Sequence, residues 1–290
     1  MTKVVITAAG KGTRLLPFTK EMPKEMMPIF SNTFANKKVV LPLLQYIYEQ
    51  LYSMNFRDYC FVVGREKRSI EDHFTPHETY LKELSGDYRK FMRKFYEKLE
   101  NSHLVWINQN RPLGFGDAVK RAERYVGKED FIVHAGDVAI LSNTKHPIAR
   151  LIETSKKNQD VKAILLCKEV KDFQRYGVPT VTKISSNLFS VNEVIEKPQK
   201  PKSNLGILPL YYFKSDIFSS LKKIKLGKGK EFQLTDAIQG LIDKGHAYEN
   251  QDHVFFDIDT FSDYGFLSNR TEEDQISGTR IKSSEIKKNQ

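Results

Sequence analysis

The chain opens on Val4-Val5-Ile6-Thr7-Ala8-Ala9 and passes at once into Gly10-Lys11-Gly12-Thr13-Arg14-Leu15-Leu16-Pro17. A short β-branched apolar run closed by turn residues reads as a strand buried on both faces. Strands of that kind belong to parallel sheets, whose ligands bind beyond the carboxyl ends of the strands. The glycine turn leaves backbone N–H groups and neighbouring cations open to an anion, so the amino terminus reads as a phosphate site. Two common phosphate loops are excluded. Gly-x-x-x-x-Gly-Lys-Ser/Thr is absent here, and Gly10 and Gly12 are followed by Thr13, Arg14 and Leu15 where a dinucleotide fingerprint needs a third glycine. A second cation, Lys24, follows between Pro23 and Glu25. Taken alone, the turn is equally a surface turn with incidental charges.

Further strand-like runs at Tyr59 to Val63, Leu104 to Ile107, Phe131 to His134 and Ala163 to Cys167 alternate with helical spacing. That spacing is carried by Leu43, Leu44, Ile47, Leu51 and Met54, and again by Ala118, Val119, Ala122 and Val126. Alternation of this kind predicts an α/β fold, a mainly parallel sheet covered by helices on both faces. The charged stretch from Tyr80 to Asn101 reads as an excursion helix outside the sheet, serving as a lid, an oligomer contact or plain surface. After about residue 170 short strands at Val178 to Thr182, Val191 to Ile195 and Leu208 to Phe213 suggest a small mixed β lobe beside the sheet. No linker divides the chain, which reads as one domain over 1–270, with a part to about 170, a second part over 171–270, and a polar tail over 271–290.

The 290 residues suffice for a real core, and no apolar run approaches eighteen residues, so the expectation is a cytoplasmic protein without a membrane anchor. Cys60 and Cys167 are far apart and read as core thiols. The formal charge of +10 is compatible with an anionic ligand. Much of it sits in the Lys222 to Lys230 run and the tail, and no zinc-finger, RNP-like or basic-heptad pattern gives it a nucleic-acid geometry.

Four more stretches carry chemistry. Gln109-Asn110-Arg111-Pro112-Leu113-Gly114-Phe115-Gly116 opens a helix with small residues that would let a flat ring approach the backbone, and an amide such as Gln109 can donate and accept as a pyrimidine edge demands. Phe131 to Asp137 is an apolar strand ending in a carboxylate, suited to Mg²⁺, which takes one or two carboxylates plus phosphate oxygens and water. Phe255-Phe256-Asp257-Ile258-Asp259 is a second such run, although either acid could cap a helix starting near Ser262. In Val194-Ile195-Glu196-Lys197-Pro198, Glu196 could accept from sugar hydroxyls while Lys197 neutralises a phosphate; the alternative is a solvent-exposed ion pair.

Together with Tyr176-Gly177-Val178, Ser203-Asn204-Leu205 and Glu231-Phe232-Gln233-Leu234-Thr235-Asp236-Ala237, these motifs resemble, in order and over nearly the whole chain, the sugar-nucleotide pyrophosphorylases. The likeness is strongest to the prokaryotic UTP:glucose-1-phosphate uridylyltransferases. The resemblance implies a Rossmann-like nucleotide-diphospho-sugar transferase fold, with a small β-rich sugar-binding lobe. It implies attack of glucose 1-phosphate on the α phosphorus of UTP, giving UDP-glucose and pyrophosphate with Mg²⁺ as cofactor, in a homodimer or homotetramer with no nucleic-acid or membrane partner. By the same resemblance Ala8, Ala9, Gly10, Gly12 and Thr13 would contact nucleoside and phosphates, Arg14 the β and γ phosphates and Lys24 the α phosphate. Glu25, Gln109 and Gly114 would surround uracil and ribose. Asp137 and Asp257 would hold the metal, Gly177 and Glu196 the sugar hydroxyls, and Lys197 the sugar phosphate. Three positions depart from the family pattern: Leu113 stands where a lysine is frequent, Asp117 where histidine is common, and Asp259 where glycine is usual. A thymidylyltransferase using dTTP and a catalytically silent nucleotide-sugar sensor are the alternatives.

Overall fold

The computed structural model describes residues 2–34, 37–142, 146–185, 187–242, 245–249 and 253–257. The tail over 271–290, the helix expected near Ser262 and Asp259 lie outside them. Along the chain come β1 (Lys3–Ala8), a hairpin of β2 (Pro28–Phe34) and β3 (Lys37–Pro42), β4 (Asp58–Gly64), β5 (His103–Gln109), β6 (Phe131–Ala135), β7 (Val138–Ser142) and β8 (Ala163–Glu169). They are followed by β9 (Gly177–Ser185), β10 (Leu188–Glu196), β11 (Leu205–Phe213), β12 (Gly245–Glu249) and β13 (His253–Asp257).

Nine of these strands form one sheet in the order β5-β4-β1-β6-β11-β8-β12-β10-β9. β5, β4, β1 and β6 run parallel. β11 enters antiparallel between β6 and β8, β12 lies parallel to β8, and β10 and β9 close the edge as an antiparallel pair. The β-rich region after residue 170 is thus continuous with the sheet. The parallel half reverses direction of growth at β1, with β4 on one side and β6 on the other. A crevice opens beyond the carboxyl ends of strands at such a point, and the glycine turn lies there.

Side chains two apart share a face, so β1 sends Val4, Ile6 and Ala8 into one core and Val5 into the other. β4 does the same with Tyr59, Phe61 and Val63 against Cys60 and Val62. The helix Leu43–Ser53 covers the first face through Leu43, Leu44, Ile47 and Leu51. The second face is covered by Ala118 and Val119 on the short helix Phe115–Arg121, Val126 on the short helix Glu123–Val126, and Ala122 between the two. Both cysteines are buried, as expected of core thiols, and burial pushes the Cys60 thiol up to about 12.

The Tyr80 to Asn101 expectation needs correction. The stretch is two helices, Glu78–Glu83 and Gly86–Glu100, broken at Leu84 and Ser85. The second is docked on the main core: Phe95 and Leu99 are buried there, Phe95 meets Phe74 and Tyr48, and the Tyr48 hydroxyl donates to Lys98 O at 2.8 Å. Its charged residues hide a narrow apolar stripe, and the Lys98–Glu49 pair at 2.6 Å fastens it to the helix below. Truncating Phe95 to alanine there would cost about 3–5 kcal/mol. Among the described residues no helix is long and apolar enough to cross a membrane.

Candidate active site

A cavity of about 510 Å³ lies beyond the carboxyl ends of β1 and β6. Its floor is the glycine turn, with Ala9, Gly10, Lys11, Gly12 and Thr13 all facing it. Thr19 closes that turn by donating its hydroxyl to Gly12 O at 2.7 Å. Lys24 and Glu25 reach the cavity from the single helical turn Lys24–Met26. Asp137 reaches it from just past β6, where Gly136 N–H donates to Thr7 O at 2.9 Å and keeps β6 in step with β1. The far wall is Gln109, the last residue of β5, with Gly114 behind it.

Two ion pairs organise the charge. Lys24 Nζ is paired with Asp137 Oδ2, and both are largely buried. Glu25 is deeper, 1% exposed, and bonds Lys67 Nζ at 2.7 Å. Burial drives the Glu25 carboxyl above its ordinary range, opposed chiefly by the Lys67 charge. Glu25 therefore reaches the cavity, but as the partner of Lys67, at the start of the helix Arg68–His73. Nothing in the charged run Arg65-Glu66-Lys67-Arg68 distinguishes Lys67 from a solvated residue. Arg14 sits exposed on the turn Thr13–Leu15 and is not among the residues lining the cavity. Ala8 is buried in the core, one residue short of it.

The segment Glu231 to Gln233 locks the Gln109 wall. Phe232 N–H donates to Leu113 O at 2.8 Å and its carbonyl accepts from Gly116 N–H at 2.9 Å. Gly114 has φ 100°, and a Cβ on it would come within 2.7 Å of Glu231 Cβ, so no side chain fits this position. Gln109 Nε2 donates to Asp117 Oδ2 at 2.8 Å and to Gly114 O at 3.1 Å, and Arg121 Nε donates to the same Asp117 oxygen at 2.9 Å. Glu231 lines the cavity too, together with Thr7, Phe115 and Pro209.

Gly177, Glu196 and Lys197 form a second group, at the paired ends of β9 and β10, where Gly177 and Glu196 are directly opposite. Thr235, on the helix Leu234–Gln239, joins them: its hydroxyl donates to Glu196 Oε2 at 3.1 Å. A Cβ on Gly177 would meet Thr235 Cγ2 at 2.5 Å, so the glycine makes room for the threonine that orients Glu196. Lys197 Nζ lies 3.3 Å from Glu196 Oε1. Its backbone is left-handed, φ 46°, held by donation from its N–H to Tyr176 O at 3.0 Å. β13 pairs Asp257 with Val138, the residue after Asp137.

The sequence pattern of the nucleotidyl transferase family matches residues 3–274. The chain is a member of that family. Among nucleotidyl transferases, UTP--glucose-1-phosphate uridylyltransferase 1 of Staphylococcus saprophyticus is 35% identical over 253 residues, covering 85% of this chain and 83% of its own. Apo UDP-glucose pyrophosphorylase superposes with a TM-score of 0.81 at 29% identity, covering 93% of this chain and 97% of that one. A UDP-glucose pyrophosphorylase complexed with UDP-glucose gives 0.78 at 30% identity, over 93% and 97%. The nucleotidyl transferase fold expected from the motifs, a mixed sheet flanked by helices, is the fold found.

Proposed function

We propose that the protein forms UDP-glucose and pyrophosphate from UTP and glucose 1-phosphate. The observation that carries this reading is the convergence on one cavity of the glycine turn, the Lys24–Asp137 pair and the Gln109–Gly114 wall, in a chain similar to uridylyltransferases over most of its length. UTP would lie with its base at Gln109 and Gly114 and its phosphates along Gly10 to Thr13. Lys24 would meet the α phosphate and Arg14 the outer two. Glucose 1-phosphate would be held through Gly177, Glu196 and Lys197.

The chemistry asks little of a general base. A phosphate monoester with a second pKa of about 6 is largely dianionic at neutral pH and is itself the nucleophile. Its oxygen forms the new bond to the α phosphorus as the bond to pyrophosphate breaks. The obstacle is repulsion between two anions, and aligning them between cations lowers it.

The cavity's own acids suit Mg²⁺. Asp137 already holds a cation, the Lys24 ammonium, at the cavity wall. Among the described residues no cluster of three or more metal-ligating side chains exists, so a metal here would rest on one or two carboxylates and on phosphate oxygens, as Mg²⁺ does. Asp137 would hold it, with Asp257 as second ligand. Bound there, Mg²⁺ would neutralise developing phosphate charge.

Pyrophosphate release, measured for UTP, dTTP, ATP and GTP against several sugar 1-phosphates, tests the reading. Fastest turnover with UTP and glucose 1-phosphate is expected. Preference for dTTP would make the protein a thymidylyltransferase, and no release with any pair would overturn catalysis.

A further inference from the structure

An amide side chain has nearly the same shape whichever end carries its nitrogen, so its neighbours decide which end faces them. The neighbours of Gln109 leave no choice. One is the Gly114 carbonyl, 3.1 Å away, and the other is Oδ2 of Asp117, 2.8 Å away. Both are acceptors, and an ionised carboxylate is an acceptor only. Turning the amide over would set its oxygen against two acceptors at once. Both Nε2 hydrogens are therefore committed, and Oε1 is the polar atom that Gln109 can offer the cavity it lines. Beside it, the Gly114 N–H donates to no acceptor among the described residues.

Asp117 is in turn fixed. It is 9% exposed, and its Oδ2 accepts from Arg121 Nε at 2.9 Å one helical turn on. The charge-assisted bond from Arg121 holds the carboxylate in this orientation, where a neutral side chain could present a donor instead.

We propose that Asp117, held by Arg121, is a positioning residue that sets the hydrogen-bond polarity of Gln109 and so selects a base with a ring N–H over one with a ring-nitrogen acceptor. The wall then offers an acceptor next to a donor. Uracil presents the complement, N3–H beside O4. Cytosine presents the reverse at the same two atoms, N3 as acceptor beside the N4 amine. Thymine shares the uracil edge, so this device separates UTP from CTP and leaves dTTP to be judged by the space around C5. The inference rests on the reading that the base lies at Gln109.

Calorimetric binding of UTP and of CTP to the full chain, with kcat/KM for each, tests it in the unaltered protein and in Asp117→Ala and Asp117→Asn. The alanine variant should lose about tenfold in its preference for UTP over CTP, with CTP binding unchanged or tighter, because a hydrogen bond to a charged group is lost. Asp117→Asn keeps the shape but can turn a donor toward Gln109, so its preference should also contract; it decides the matter should the alanine variant fail to fold. Equal weakening of both nucleotides, or an unchanged ratio, would overturn the proposal while leaving the nucleotide reading intact. An unaltered protein that does not distinguish UTP from CTP would overturn both.

Discussion

The cavity and the Gly177–Glu196–Lys197 group, proposed as nucleotide and sugar half-sites, are held by different forces. Around the cavity, Lys24 is paired with Asp137 and Glu25 with Lys67, beside a sheet half buried on both faces. In the proposed sugar half-site, Glu196 is held by one threonine hydroxyl, by its neighbour Lys197 and by the space a glycine leaves, at the end of the edge pair β9 and β10. Largely buried ion pairs between distant residues fix geometry in the first; in the second the ion pair is between chain neighbours, Glu196 and Lys197, and a hydroxyl and close packing do the rest. The first half should therefore fail through stability and turnover together, and the second through recognition of one substrate.

The largest effect expected is on turnover. Asp137→Asn should cut pyrophosphate release by about a hundredfold or more, because the cavity loses its cation-holding charge, while circular dichroism stays unchanged. Near-normal Mg²⁺-dependent activity would sink that role. Lys67→Met should lower unfolding free energy by about 3–5 kcal/mol, since it leaves Glu25 buried and unpaired. Denaturant titration would read this, and the double variant with Glu25→Gln should recover most of it. No recovery would show that the pair is not the cause.

Acid sharpens the contrast. His73 ends the helix that Lys67 begins, bonds Gln45 Oε1 at 2.9 Å, and is held by burial down at about 4 from an ordinary 6.5. A group depressed in the folded state binds fewer protons there than in the unfolded chain. Its contribution is therefore fully present above about pH 6.5 and lost as the pH falls toward 4, on the order of 3 kcal/mol in all. Melting temperature followed across that window should drop, and His73→Gln should flatten the drop. An equal drop in the variant would place the acid sensitivity elsewhere.

The proposed sugar half-site should respond on a smaller scale. Gly177→Ala should cost about 1–3 kcal/mol by overpacking against Thr235, and Thr235→Ser should relieve it by removing the clashing methyl while keeping the hydroxyl. Thr235→Val alone should raise KM for glucose 1-phosphate by roughly fivefold, the worth of one hydrogen bond, and leave KM for UTP alone.

How much of this was legible in the sequence follows the same division. β1, β4 and β6 announce themselves because a strand covered on both faces is apolar nearly throughout. The glycine turn and Asp137 stand just past the ends of such runs, which is what draws attention to them, whereas Lys24 reads only as a cation between Pro23 and Glu25. β11 reads as a strand, but its place between β6 and β8 depends on long-range pairing that no local pattern carries. Lys67 and Asp117 are hidden for a related reason: their partners are Glu25, forty-two residues away, and Gln109, across a turn. A charge run looks the same whether solvent or a buried carboxylate receives it.

The claim that two half-sites are held separately is tested most directly by the kinetics of Lys197→Ala, with UTP and glucose 1-phosphate varied in turn. The account predicts a KM for glucose 1-phosphate raised by about tenfold, the loss of a charge-assisted contact, with the UTP dependence unchanged. An unchanged dependence on glucose 1-phosphate, or both KM values rising together, would contradict it.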